Sequence, residues 1–145
     1  MIMNGIIEKI KAYPARGEAG RELSEAYLVE NSGLKGDFYA TGGERQISLL
    51  IAEIKELMDQ QKEKGLCFSR FKENITIRGI EANVLQKGVR LYAGEAELEI
   101  TGETKQCYQE CPLFEAGKTC LLAGMSLFAK VKKSGVIRAG ERISL

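Results

Sequence analysis

Two thiols stand close together in the stretch ETKQCYQECPLF, residues 103–114: Cys107, with Lys105 two places before it, and Cys111. An ammonium beside a thiol favours the thiolate, the form that attacks sulfur, binds soft metals or carries a persulfide. Glu103 and Glu110 oppose that shift. The chain has no histidine, so a cysteine–histidine hydrolase mechanism is excluded by composition. The thiol is left to act as carrier, ligand or redox centre.

The other two cysteines sit in apolar company, Cys67 in GLCFS and Cys120 in KTCLLAG, and read as core residues. The gaps between Cys107, Cys111 and Cys120 do not match the paired short spacing of structural zinc, and no histidine exists to complete a tetrahedron. No metal site is therefore assigned. An iron–sulfur or other metal site that uses several of the four thiols stays open as an alternative.

The strand before Cys107 sets its expected exposure. In EAELEIT, Ala96, Leu98 and Ile100 alternate with Glu95, Glu97, Glu99 and Thr101, the period of a half-buried strand. Extended without a bulge, that alternation gives Glu103, Lys105 and Cys107 the solvent-facing parity; a bulge at Gly102 reverses it.

The remaining elements follow from periodicity and punctuation. NGIIEKIKAY reads as a first strand, and ELSEAYLVENSGLKGDFYATGG as strand and loop ending in a glycine pair. In ISLLIAEIKELMDQQKEKG, Leu50, Ile51, Ile54, Leu57 and Met58 fall on one face of a helix, expected over residues 48–64 with Ser48 as N-cap and Gly65 as stop. RFKENITIRGI, GVRLYAG and EAELEIT are strands at barrel-like spacing. The tail MSLFAKVKKSGVIRAGERISL reads as two strands in a hairpin across Ser134 and Gly135. The sum is a mostly β chain with one inserted amphipathic helix.

A length of 145 residues suits a single domain over 1–145, able to bury a core without disulfides. Lysine plus arginine number 21 against 20 carboxylates, so no strong field points to nucleic acid or to a membrane surface. Asn4, Glu8, Lys9 and Lys11 interrupt the N-terminal apolar residues before a signal core can form, and no run is long enough to span a bilayer. The expected location is the cytoplasm, where thiols stay reduced.

Five blocks in order, GLKGDFYA, ERQISLL, FKENITIRGI, LYAGEAELEITGETKQC and GVIRAGERISL, make the chain similar to the MOSC family, found at the C-terminus of molybdenum cofactor sulfurases and as short free-standing bacterial proteins. The KQCYQEC version looks like the short bacterial branch. The resemblance implies a closed, mostly antiparallel β-barrel with a helix inserted in its first half. It also implies that Cys107 is the catalytic cysteine, which carries sulfur or ligates molybdenum in a bound pterin cofactor.

By the same match Arg45, Asn74 and Lys105 fall on cofactor-binding positions that line the family's pocket. Arginine and lysine suit a phosphate as charge-assisted donors, whereas an asparagine amide can pair with a pterin edge or hold a loop. Asp37 of GLKGD reads equally as a turn residue bonding nearby amides. Two departures stand out: Gly140–Glu141 replaces the common glycine–aspartate, and Lys105 replaces a frequent arginine, exchanging a planar fork for a point charge.

The function implied is a sulfur carrier or molybdopterin-binding module. Its expected partners are a cysteine desulfurase as sulfur donor and a molybdoenzyme or cofactor-biosynthesis protein as acceptor. The chain has no room for pyridoxal phosphate machinery of its own. The alternative is a component of a molybdenum-dependent reductase for N-hydroxylated compounds.

Overall fold

β1 (Asn4–Ala12) opens the computed structural model, which describes residues 4–60, 72–102 and 127–145. Its sequence alternates only loosely, and the reason is a register shift between Ile7 and Lys9 against a later strand. The bulge places Ile7 and Ile10 both inward, although they are three residues apart, and both are fully buried.

Ten further strands follow among the described residues. They are β2 (Arg21–Leu23), β3 (Glu25–Val29), β4 (Gly33–Leu34), β5 (Ile47–Ile51), β6 (Ile75–Arg78), β7 (Arg90–Ala93), β8 (Ala96–Ile100), β9 (Leu127–Lys133), β10 (Gly135–Arg138) and β11 (Arg142–Ser144). Six of them and β1 close a barrel in the order β11-β7-β8-β9-β5-β6-β1, the ring completed by β1 against β11, while β2 extends the sheet beside β1. β10, β3 and β4 form a separate small sheet. Ile47, Leu49, Ile75, Ile77, Leu91, Leu98 and Ile100 point into the barrel and are essentially inaccessible to water, which makes this interior the main source of hydrophobic stabilisation.

The fold is the mostly β barrel with one inserted helix that the sequence implies, with differences in detail. β5 and β6 run parallel, Leu50 opposite Thr76, whereas every other pair in the ring is antiparallel. The helix α1 spans Ala52–Gln60, shorter at its start than periodicity suggested. Residues 48–51 belong to β5, all five of whose residues are buried, because they pair with β6 on one side and β9 on the other. An apolar run of this length fits a doubly covered strand as well as a helix face, and the pairing decides. Leu57 is consequently exposed, and Gly65 lies outside the described residues.

The tail is not a hairpin. β9 joins the barrel between β8 and β5, whereas β10 leaves it to pair with β3, so the chain changes sheets at Ser134. The Ser134 hydroxyl accepts the Glu30 N–H at 2.8 Å. Gly135 is needed there, since a side-chain carbon at that position would lie 2.6 Å from the Ala96 nitrogen. α1 is tied to the barrel wall by the Gly79 N–H donating to Glu53 at 3.0 Å and by Arg78, which reaches Glu56 and, at 2.7 Å, Glu8. These pairs are exposed and fix orientation more than they stabilise.

Candidate functional site at the barrel mouth

β9 runs antiparallel to β5, with its first residues Leu127 and Phe128 opposite Leu49 and Ser48, whereas β5 and β6 run parallel, so the starts of these two strands lie together at one end of the barrel. This end is the mouth. Ser48 of β5 faces Phe128 of β9, and the Thr101 N–H donates to the Phe128 carbonyl at 3.0 Å just past β8. The segment containing Cys107 leaves after Gly102 and returns at Leu127, so its two attachment points flank the Thr101–Phe128 bond.

Arg45 sits on the rim, exposed, with its guanidinium carbon 4.9 Å from the centre of the Phe128 ring. The ring face attracts the cation, and a guanidinium is a forked donor of the kind that suits a phosphate or carboxylate. The stretch carrying Arg45 is fixed by Gln46, a buried amide that accepts the Val131 N–H at 2.9 Å and donates to the Gly43 carbonyl at 3.0 Å.

Asn74 is 3% exposed, and its amide is committed to the protein. Its Oδ1 accepts the Ser48 N–H at 3.0 Å and lies 3.1 Å from the Ser48 hydroxyl, while its Nδ2 donates to the Lys11 carbonyl at 3.2 Å. The Ser48 hydroxyl in turn meets the Lys72 carbonyl and accepts the Asn74 N–H at 3.0 Å. Of the two roles open to this asparagine, the geometry gives it the holding of strand ends. It joins β1, β5 and β6 at the mouth.

Asp37 lies deeper than a turn residue. Its Oδ1 accepts the N–H of Tyr13, a residue 24 positions earlier, at 2.8 Å, and the Phe38 N–H returns a bond to the Tyr13 carbonyl at 2.8 Å. Burial pushes the Asp37 carboxyl above the ordinary carboxylate range, against weaker opposing help from the Tyr13 N–H, the Asn74 amide and the Tyr39 N–H. Tyr13 is itself buried, donates its hydroxyl to the Glu73 carbonyl at 2.9 Å, and is held protonated by burial first and then by the nearby Glu73 charge.

Of the predicted site residues, Arg45 and Asn74 thus come together at one end of the barrel. Cys107 and Lys105, like Cys67, Cys111 and Cys120, lie outside the described residues. The alternation that gave Cys107 its expected parity is broken as the chain leaves β8, however. Thr101, expected outward, is 8% exposed beside the buried Ile100, and Gly102 has φ of 84°, so the alternation ends where β8 ends. Sequence reasoning missed Tyr13 and Gln46 and read Ser48 as a helix cap. Only their long-range partners give them meaning, and no local spacing encodes those.

The ring of seven strands defines a closed β-barrel domain, with Arg45 at one end beside the buried polar groups Gln46, Ser48 and Asn74. The chain belongs to the MOSC domain family, whose model matches residues 37–144. Among solved structures, it is similar to the YuaD protein of Bacillus subtilis, with a TM-score of 0.72 and 18% identity over 99% of this chain and 96% of that one. YiiM from Escherichia coli superposes with a TM-score of 0.64 and 19% identity, over 99% and 69% of the two chains. YiiM from Geobacillus stearothermophilus gives 0.67 and 16%, over 97% and 75%. At such identities the likeness concerns the fold. No curated protein matches the chain. Among the described residues no helix is long and apolar enough to cross a membrane, and no three potential ligands converge on a metal position.

Proposed function

We propose that the protein is a sulfur-carrier or molybdenum-cofactor-binding module in which Cys107 is the reacting group and the barrel mouth is the binding site. MOSC domains are associated with molybdenum-cofactor and sulfur-related binding. The observation that carries the reading for this chain is the position of Arg45, whose guanidinium lies over Phe128, one residue past the point where the chain returns from the segment that holds Cys107. Cys107 is five residues beyond Gly102, so extended backbone limits their separation to about 18 Å.

The residues present fit the phosphate end of a pterin cofactor. Arg45 offers a forked cation, and Lys105 a second positive charge on the segment that carries the thiol. The cofactor, when bound, supplies a redox metal and a phosphate-bearing pterin. Asn74 frames the mouth and leaves ring recognition to other groups, since its amide is already engaged.

In sulfur carriage, the Cys107 thiolate attacks the terminal sulfur of a donor persulfide on a cysteine desulfurase. The donor sulfur–sulfur bond breaks, the donor leaves as a thiolate, and Cys107 holds the new bond with no net oxidation. The persulfide is more acidic than the thiol, and Lys105 helps keep its end anionic for delivery to a molybdoenzyme or cofactor-biosynthesis partner.

The test is intact-mass analysis after incubation with a cysteine desulfurase and cysteine. Wild type and Cys111→Ala should gain one sulfur, and Cys107→Ala none. A gain retained in Cys107→Ala moves the role to another thiol.

A further inference from the structure

Among the described residues one buried side-chain oxygen has no hydrogen-bond partner, Oδ2 of Asp37. The residue is 7% exposed, so water does not satisfy it from outside. We propose that Asp37 is a positioning residue for the mouth, working as an uncharged carboxylic acid that fastens the loop bearing Arg45 to the end of β1. The functional part of this inference rests on the reading of the mouth as an anion-binding site.

The surroundings argue for the uncharged form. An ionised carboxylate with one oxygen buried and unpaired is far more costly than a neutral acid in the same place. No cation among the described residues is ion-paired to it. Lys11, at the end of β1, points its ammonium to Glu73 at 3.5 Å, and Lys72, ahead of β6, lies 5.7 Å over the Tyr13 ring. The Tyr13 N–H, the Asn74 amide and the Tyr39 N–H favour the anion, but burial outweighs them, and the titratable neighbours Tyr13 and Glu73 supply no positive charge.

The connections explain why the mouth depends on it. Asp37 and Phe38 grip both backbone groups of Tyr13, which fixes the start of the loop that runs to Arg45. Gln46 fixes the loop's other end against β9. Asn74 lies beside the carboxyl and bonds Ser48 and Lys11, so the same cluster sets the spacing of β1, β5 and β6 at the rim.

Two measurements test this. Carbon-detected NMR of the Asp37 carboxyl follows its protonation directly, and pyrophosphate titration from pH 6 to pH 9 follows the site. At pH 6, where an ordinary carboxyl is ionised, the Asp37 resonance should be that of the protonated acid. Asp37→Asn, which keeps the shape without the charge, should bind pyrophosphate within about twofold of wild type and lose the weakening that wild type shows as pH rises. Asp37→Ala should bind at least tenfold more weakly. An ionised resonance at pH 6, or an Asn variant as impaired as the Ala variant, overturns the proposal. If wild type and Arg45→Ala fail alike to bind pyrophosphate, the anion-site reading falls, and with it the positioning role; the carboxyl titration still decides the charge state.

Discussion

Asn74 and Ser48, 26 residues apart in the chain, hold each other through side chain and backbone at once: the amide oxygen of one accepts the N–H of the other, and the hydroxyl accepts the N–H in return. Each is buried, so each depends on the other for a partner that water does not supply. Asn74→Ala leaves the Ser48 N–H and the Lys11 carbonyl unpaired. It should lower unfolding free energy by roughly 1–3 kcal/mol in urea titration. A loss under about 0.5 kcal/mol would show that the pair does not hold the mouth.

Arg45 should matter for ligand and not for folding. Arg45→Ala is expected to weaken pyrophosphate binding about tenfold in isothermal calorimetry and leave the urea midpoint nearly unchanged. Arg45→Lys should recover only part of the affinity, because a point charge replaces a stacked fork.

At Cys107 the rate of alkylation by iodoacetamide reports the thiolate fraction. Lys105→Ala should shift the pH midpoint of that rate upward, whereas Lys105→Arg should leave it in place. Identical profiles for all three proteins would remove Lys105 from the chemistry.

Asp37 gives a pH dependence with a definite sign. Its folded pKa lies above the unfolded one, so between them the folded state binds more protons and stability falls as pH rises through that window. Asp37→Asn carries no such loss. Its melting temperature should exceed that of wild type at pH 8 and the difference should shrink toward pH 4, as differential scanning calorimetry will measure. A wild type that gains on the Asn variant as pH rises would reverse the assignment.

The barrel was legible because its strands announce themselves. The run from Ala96 to Ile100 alternates as a one-sided strand must, and the structure buries it in that phase. The length of the helix was not legible. Leu50 and Ile51 satisfy helical spacing and strand pairing equally, and only β6 and β9, distant in sequence, choose between them. Arg45 was found through family likeness, whereas Tyr13 and Asp37 have no pattern in common. Their meeting is a product of the fold, and the orphan oxygen it creates exists only there.

The strand count carries a lesson of its own. Directions around a closed ring can alternate without exception only when the number of staves is even, and this ring has seven. One neighbouring pair must therefore agree in direction, and here it is β5 with β6. That forced exception sets two strand beginnings side by side, Arg45–Ser48 next to Lys72–Asn74, where an even ring would have set a beginning beside an ending. The geometry available to a ligand is thus a matter of arithmetic as much as of side chains.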